Sequence, residues 1–401
     1  MKNDLRKKAA ILSIALFVAG NSIISGSLVF MQETFDISIT NAGFLITLSS
    51  IATIVTMILS EVITKKIGMK NCVLLGLFLV AISSIFPIIK TSYWSVFISR
   101  IIMGAGVGLF NGHSANYINV FFEGDEASRL HGIRNSTEFI GQTILLFIAG
   151  LLIKIKWTFS FLAYALAFIV LFYFDKTIPD INIKEKENLG KFHFNRQIFF
   201  YIFFGAVMIM NVSSLSIRFP TVATLAKGRG ADINIYMIAL PLSGMISGFL
   251  FGFINKNLRE KTILLGLAIY TIFNTIIALL GDNMYVFLLC MVLIAFSQSL
   301  CTPYLFAEVS RFVRGSHARI ANNLIFIGCN MGGFVAPFFL NVINKILHTN
   351  SITLSFISFS LIYSIMFLIN LREFVKTRKI KLLSQNIWFQ YCRVSSKNIW
   401  R

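Results

Sequence analysis

ILSIALFVAGNSIISGSLVF, from Ile11 to Phe30, decides the fold class. It matches a hydrocarbon core about 30 Å thick, which about 20 helical residues cross. Hydrocarbon offers the backbone no hydrogen-bond partner, so a crossing segment of this kind must be helical. Eleven further apolar stretches of similar length follow, separated by short charged loops, as far as Leu371. The chain therefore reads as an all-α membrane protein with twelve transmembrane helices. The expected spans are 9–31, 40–63, 71–89, 93–121, 131–154, 157–174, 197–219, 233–254, 262–280, 284–311, 318–345 and 351–371. The first run has no small-residue cleavage site after it and is expected to be a true span rather than a removable leader.

Composition supports this reading. Of 401 residues, 56% are hydrophobic and 13% charged, against about 25% charged in a soluble domain. A net charge of +19 would by itself admit nucleic acid, but the charges alternate from loop to loop. One set of loops and termini holds 28 Lys and Arg residues and the intervening loops hold 6, with Arg100 and Arg218 within or at the edge of helices. That asymmetry is the positive-inside pattern. It places both termini in the cytoplasm of a multi-pass plasma-membrane protein and argues against a nucleic-acid partner. The five cysteines form no CxxC and read as small apolar core residues, not as metal ligands or disulfides.

The longest interior loop, Asp175 to Arg196, is charged and contains Pro179. Residues 175–196 read as a cytoplasmic linker between an N-terminal six-helix bundle, 1–174, and a C-terminal one, 197–371. The basic tail 372–401, with Trp388, Phe389, Tyr391 and Trp400, is expected to be cytoplasmic and poorly ordered, the alternative being that it lies on an anionic membrane surface. The halves resemble each other. TKKIGMKNCVLLG (Thr64 to Gly76) parallels INKNLREKTILLG (Ile254 to Gly266), and SVFISRIIMGAGVG (Ser95 to Gly108) parallels YVFLLCMVLIAFSQ (Tyr285 to Gln298). Parallel repeats of this kind put a substrate path between the halves, near mid-bilayer.

Two motifs carry a family resemblance. The loop after span two is similar to the G-x-x-x-D-R-x-G-R-K loop of the major facilitator superfamily. Gly68 and Lys70 match it and Lys66 keeps the charge of the family Arg, while Glu61 and Lys65 replace its Gly and Asp. Span four carries Arg100-Ile-Ile-Met-Gly104-Ala-Gly106-Val-Gly108, which resembles the R-x-x-x-G-x-G pattern implicated in proton exchange in proton-driven exporters of that family. The resemblance covers about residues 5–375. It implies two pseudo-symmetric six-helix bundles and secondary transport by alternating access. In the family the basic loop latches a cytoplasmic gate, and the gate residues here are Lys66, Gly68, Lys70, Lys256, Arg259 and Glu308. Asn119 stands where an acid would complete the N-terminal latch.

Intramembrane ionisable residues are costly and point to function. Arg100 lies about 10 Å from the nearer helix end at 1.5 Å per residue. It shares a helix face with Gly104, Val107, Asn111 and Ser114, either as a polar cavity stripe or as an arginine reaching back to the surface. In span five Glu138 stands one turn from both Arg134 and Gln142. Glu138, Arg134 and Arg100 are the proton-coupling candidates, with a purely structural Arg134–Glu138 pair as the alternative. Asn21, Ser25, Asn111, His113, Gln142, Asn211, Ser214, Gln298, Tyr304 and Asn330 are the candidate substrate-cavity residues. A Gly-Pro pair typical of drug exporters is absent from span five, where the chain reads GQTILLFIAG.

No G-x-x-x-x-G-K-[ST] phosphate loop or HExxH pair occurs in the sequence, so neither direct ATP use nor membrane-embedded metalloenzyme chemistry is expected. The expected function is secondary transport of a small organic solute, with proton-coupled efflux ahead of uptake of a sugar or organic anion. No cofactor or metal is expected. The expected partners are the solute, protons and the lipid bilayer, and the expected state is a monomer.

Overall fold

The computed structural model describes residues 2–20, 23–122, 124–180, 196–228, 232–258, 261–312 and 316–397. All elements among them are helical: α1 (Lys2–Ser13), α2 (Leu28–Phe35), α3 (Ile39–Ile67), α4 (Met69–Ser83), α5 (Phe86–Ile89), α6 (Tyr93–Phe121), α7 (Gly124–Ile153), α8 (Ala167–Thr177), α9 (Arg196–Lys227), α10 (Ile233–Met237), α11 (Ala239–Leu258), α12 (Thr262–Leu280), α13 (Met284–Phe312), α14 (Ser316–Ile346) and α15 (Phe356–Lys397). Eleven segments among the described residues are long and apolar enough to cross a membrane, and they correspond to spans two to twelve.

The first apolar run departs from a continuous helix. Between α1 and α2 the chain forms short 3₁₀ turns, Ile14–Phe17 and Ser25–Ser27. Its small residues lie where neighbours press in. A Cβ on Gly20 would meet the side chains of Met103 and Tyr164, and one on Gly26 would overlap the Asn234 amide. Glycine and serine are poor at holding a helix, and here they admit side chains from other spans.

Local sequence sets most other boundaries. The Ser38 hydroxyl accepts from Asn41 N–H at 3.2 Å to start α3, and Ser92 does the same for Ser95 at the start of α6. Gly68, at φ +84°, turns the chain from α3 into α4. Pro241 lies in the first turn of α11, where its missing N–H costs no helical bond. Two helices outrun the expected spans. α9 continues through Pro220 to Lys227, carried by Val222 and Ala223, which are buried. α15 runs on to Lys397 through most of the tail expected to be disordered; no Gly or Pro interrupts 356–397. Most of the linker, 181–195, lies outside the described residues.

Close helix contacts repeat between the halves. A Cβ on Gly76 would meet the Gly106 carbonyl, and the counterpart Gly266 receives Ser297 from α13, whose hydroxyl donates to its carbonyl at 2.9 Å. Across the halves, Gly26 receives Asn234, and Gly43 receives Ile217. Each contact maps onto the other by an offset of about 190 residues, as a pseudo-two-fold repeat requires.

The end of the bundle that carries the N-terminus is called the terminal end, and the opposite end the far end. At the far end Lys154 and Asp232 pair at 2.8 Å between α7 and the start of α10. Asn234 donates to the Leu146 carbonyl at 3.5 Å. Phe44 of α3 packs edge-on against Phe334 and Phe338 of α14. Nearer mid-depth, Gly244 of α11 meets Phe139 of α7. One turn further toward the terminal end, on the same face of α11, a Cβ on Gly248 would meet nothing within 4 Å.

Candidate functional site

The site is built from the faces that packing leaves over. In α7, Gly141 lies against Leu16 of the first span and Phe139 against α11. Ile140, Ile144, Phe147 and Leu151 form an exposed apolar stripe, the lipid face. At about 100° per residue, the remaining arc lies between the first span and α11 and carries Glu138 and Gln142. The carboxylate keeps 24% of its side chain exposed and pairs with Arg134 at 2.9 Å. Arg134 is buried; its Nε donates to Ser114 Oγ at 2.6 Å and an Nη donates to Asn111 Oδ1 at 3.1 Å. The expected i, i+4 pair is thus also a tie between α7 and α6, made on the polar stripe of α6.

Arg100 occupies a different kind of place. It is wholly enclosed. Its Nε donates to the Leu45 carbonyl at 3.3 Å, and one Nη donates to the Ile46 carbonyl and to Ser49 Oγ at 2.7 Å. The other Nη donates to Tyr164 Oη at 2.9 Å, and that hydroxyl donates to the Gly20 carbonyl at 2.9 Å. One guanidinium therefore joins α6 to α3, to the span containing α8 and to the first span, through neutral acceptors. It does not reach back to the surface. The glycines below it let α6 and α3 touch: a Cβ on Gly104 would strike the Ser49 backbone, one on Gly108 would strike Thr53 and Thr56, and Thr53 Oγ1 donates to the Gly104 carbonyl at 3.0 Å.

In α13, Ser297 and Cys301 face α12, Phe287 and Leu305 face α9, and Ser299 faces α11. The open arc between α9 and α11 carries Gln298 and Thr302, whereas Tyr304 falls on the other side. In α14, Gly328 and Gly332 lie against α9, and Gly333 and Phe334 face α3. Asn330 is one turn closer to the terminal end on that α3-facing side, and its Nδ2 donates to the Phe326 carbonyl at 2.9 Å. Counted from the far ends of their helices at 1.5 Å per residue, Glu138, Gln142, Gln298 and Asn330 all lie at about 16–24 Å. They form one belt near mid-depth.

Other candidates are placed elsewhere. Asn211 is buried in a reciprocal amide pair with Asn274 of α12, at 2.7 and 3.2 Å, and Ser214 donates to its own helix at Met210. Both are packed inside the C-terminal half. Ser25, buried and without a partner for its hydroxyl among the described residues, adjoins the far-end contact at Gly26. His113 shares a hydrogen bond of 2.8 Å with Thr64 and its Nδ1 has no partner among the described residues; it ties α6 to the end of α3. Lys70 pairs with Asp175 at 2.9 Å within the N-terminal half, while Lys66 and Lys256 are exposed. Asn21 and Arg259, and the side chain of Glu308, lie outside the described residues. Tyr164, Asn234 and the Lys154–Asp232 pair were not singled out from sequence. Gly20 and Gly26, which lie opposite Tyr164 and Asn234, are the sequence signal that could have found those two.

A model of the family described as Major Facilitator Superfamily matches residues 10–257. The chain belongs to the major facilitator superfamily. No curated protein sequence matches it significantly. Among solved structures, a mutant of the nucleoside transporter NupG superposes with a TM-score of 0.73 at 14% identity, over 91% of this chain and 99% of the other. The xylose transporter XylE from E. coli, in an inward-open conformation, gives 0.72 at 14% identity, over 91% and 94%. A D-xylose-proton symporter gives 0.68 at 15% identity, over 90% and 96%. At these identities the likeness is one of fold. As a superfamily member with this fold, the chain is a multi-pass membrane transporter.

Proposed function

We propose that this transporter moves a small organic solute by alternating access and couples the movement to protons through Glu138. The observation that carries the reading is the Arg134–Glu138 pair, with its partly exposed carboxylate on the inter-bundle arc of α7. A carboxylate in such a place changes its proton affinity when hydration and its cationic partner change. Arg134 is held by Asn111 and Ser114, so rearrangement of α7 against α6 alters the field at Glu138. Arg100 supports the reading as a tie that keeps four spans of the N-terminal half together while the halves rock.

The far-end contacts and the open space beside Gly248 fit a state open toward the terminal end. By the charge asymmetry of the loops that end faces the cytoplasm. Efflux is the direction implied by the resemblance to proton-driven exporters. Uptake by symport is the second reading, favoured by the polar rather than aromatic belt and by the likeness in fold to a D-xylose-proton symporter.

Inverted vesicles with an imposed pH gradient and a solute panel test both. The expected result is solute flux that follows the gradient and is lost in Glu138→Gln, while solute exchange without a gradient persists. Retention of the wild-type pH dependence by that variant removes Glu138 from the mechanism, and the sign of the flux decides the direction.

A further inference from the structure

We infer that the solute carries no net charge and is held at mid-depth by side-chain amides. This rests on the proposed path between the bundles and names the substrate class for it. Among the described residues of the belt, the ionisable groups are Glu138 and, one turn away, Arg134. In the conformation described they are paired with each other at 2.9 Å, so their charges cancel there while Glu138 is ionised. Arg100, which could have served an anion, spends its donors on Leu45, Ile46, Ser49 and Tyr164 at the far end. Arg218 lies two turns beyond Asn211 on the same face of α9, inside the C-terminal half and nearer the far end than the belt. Among the described residues a charged solute in the belt would find no unpaired counter-charge, and an uncompensated ion in a low-dielectric path is strongly disfavoured.

The amides meet the opposite need. Gln298 of α13 makes no side-chain hydrogen bond to a described residue; its backbone carbonyl accepts from Thr302. Asn330 of α14 uses Nδ2 on Phe326 and leaves Oδ1 without a described partner. Both side chains are partly exposed. Gln142 stands at the same depth across the path on α7. An amide offers both donor and acceptor, so Gln298 and Asn330 suit a solute bearing several hydroxyls or amides of its own.

The test uses the full-length purified protein and three matched probes: an uncharged six-carbon polyol, its monophosphate and its primary amine. Protection against thermal unfolding and inhibition of proton-independent solute exchange are read for each. The uncharged probe is expected to protect and inhibit at least about tenfold better than either charged one. A stronger response to the phosphate or the amine, or none to the uncharged probe, overturns the inference. The pH-gradient experiment on the solute panel judges the transporter reading separately.

Two variants sharpen it. Gln298→Glu adds an unpaired carboxylate and is expected to raise the amine about tenfold relative to the polyol, and Glu138→Gln frees Arg134 and is expected to favour the phosphate similarly. If each folded variant keeps the wild-type order of probes, the belt is not where the solute binds.

Discussion

Replacing Arg100 with lysine separates a structural role from a role in proton transfer. The guanidinium reaches Leu45, Ile46 and Ser49 on α3 with one part of its fork and Tyr164 with another. A lysine ammonium carries the same charge at a single point. Placed against α3 it can keep the bonds to Ile46 and Ser49 but surrenders Leu45 and Tyr164. Bonds from a charged donor contribute about 1.5–3 kcal/mol each, so two lost bonds cost about 3 kcal/mol at the lower figure. Tyr164 keeps its own bond to Gly20, which limits further loss. Arg100→Lys is therefore expected to lower the thermal-unfolding midpoint in detergent by several degrees. Any surviving flux should keep its dependence on the pH gradient. An unchanged midpoint combined with loss of gradient-driven flux would refute this reasoning and make Arg100 part of the proton path.

Gly104→Val drives a branched side chain into the Ser49 backbone; overpacking of this kind costs about 1–3 kcal/mol, visible as lower yield of folded protein, and a fully stable variant would contradict the close approach of α6 and α3. Asp232→Asn removes the partner of Lys154, both about half exposed, so stability should change by no more than about 0.5 kcal/mol; cysteine labelling near Gly150 should nevertheless become faster, and an unaltered rate would show that the pair does not hold the far end. Breaking the Arg134–Glu138 pair from its cationic side, Arg134→Met, leaves Glu138 without its cation and should slow solute movement more than Glu138→Gln does in exchange assays; equal or faster exchange would deny Arg134 a positioning role. A cysteine at position 185 should resist membrane-impermeant reagents applied outside intact cells, and rapid labelling there would invert the orientation.

The apolar runs of about 20 residues were enough for the fold class, because a crossing segment of that length must satisfy its backbone within its own helix, and the loop around Gly68 with the Arg100–Gly108 pattern added the family. The Arg134–Glu138 pair was legible too, since one helical turn fixes it. Which side of a helix faces the path was not. Asn211 and Gln298 look equivalent as single amides in apolar runs, yet Asn274 claims one and the inter-bundle arc leaves the other available. Arg100 read as a cavity residue from its depth, and only the carbonyls of α3 and the Tyr164 hydroxyl turned it into a tie. The break in the first span, the clasp of Asn234 against Gly26 and the far-end pair of Lys154 with Asp232 join residues far apart in the chain. Periodicity reports what one helix presents, whereas burial and hydrogen bonding depend on which neighbour the packing brings against it.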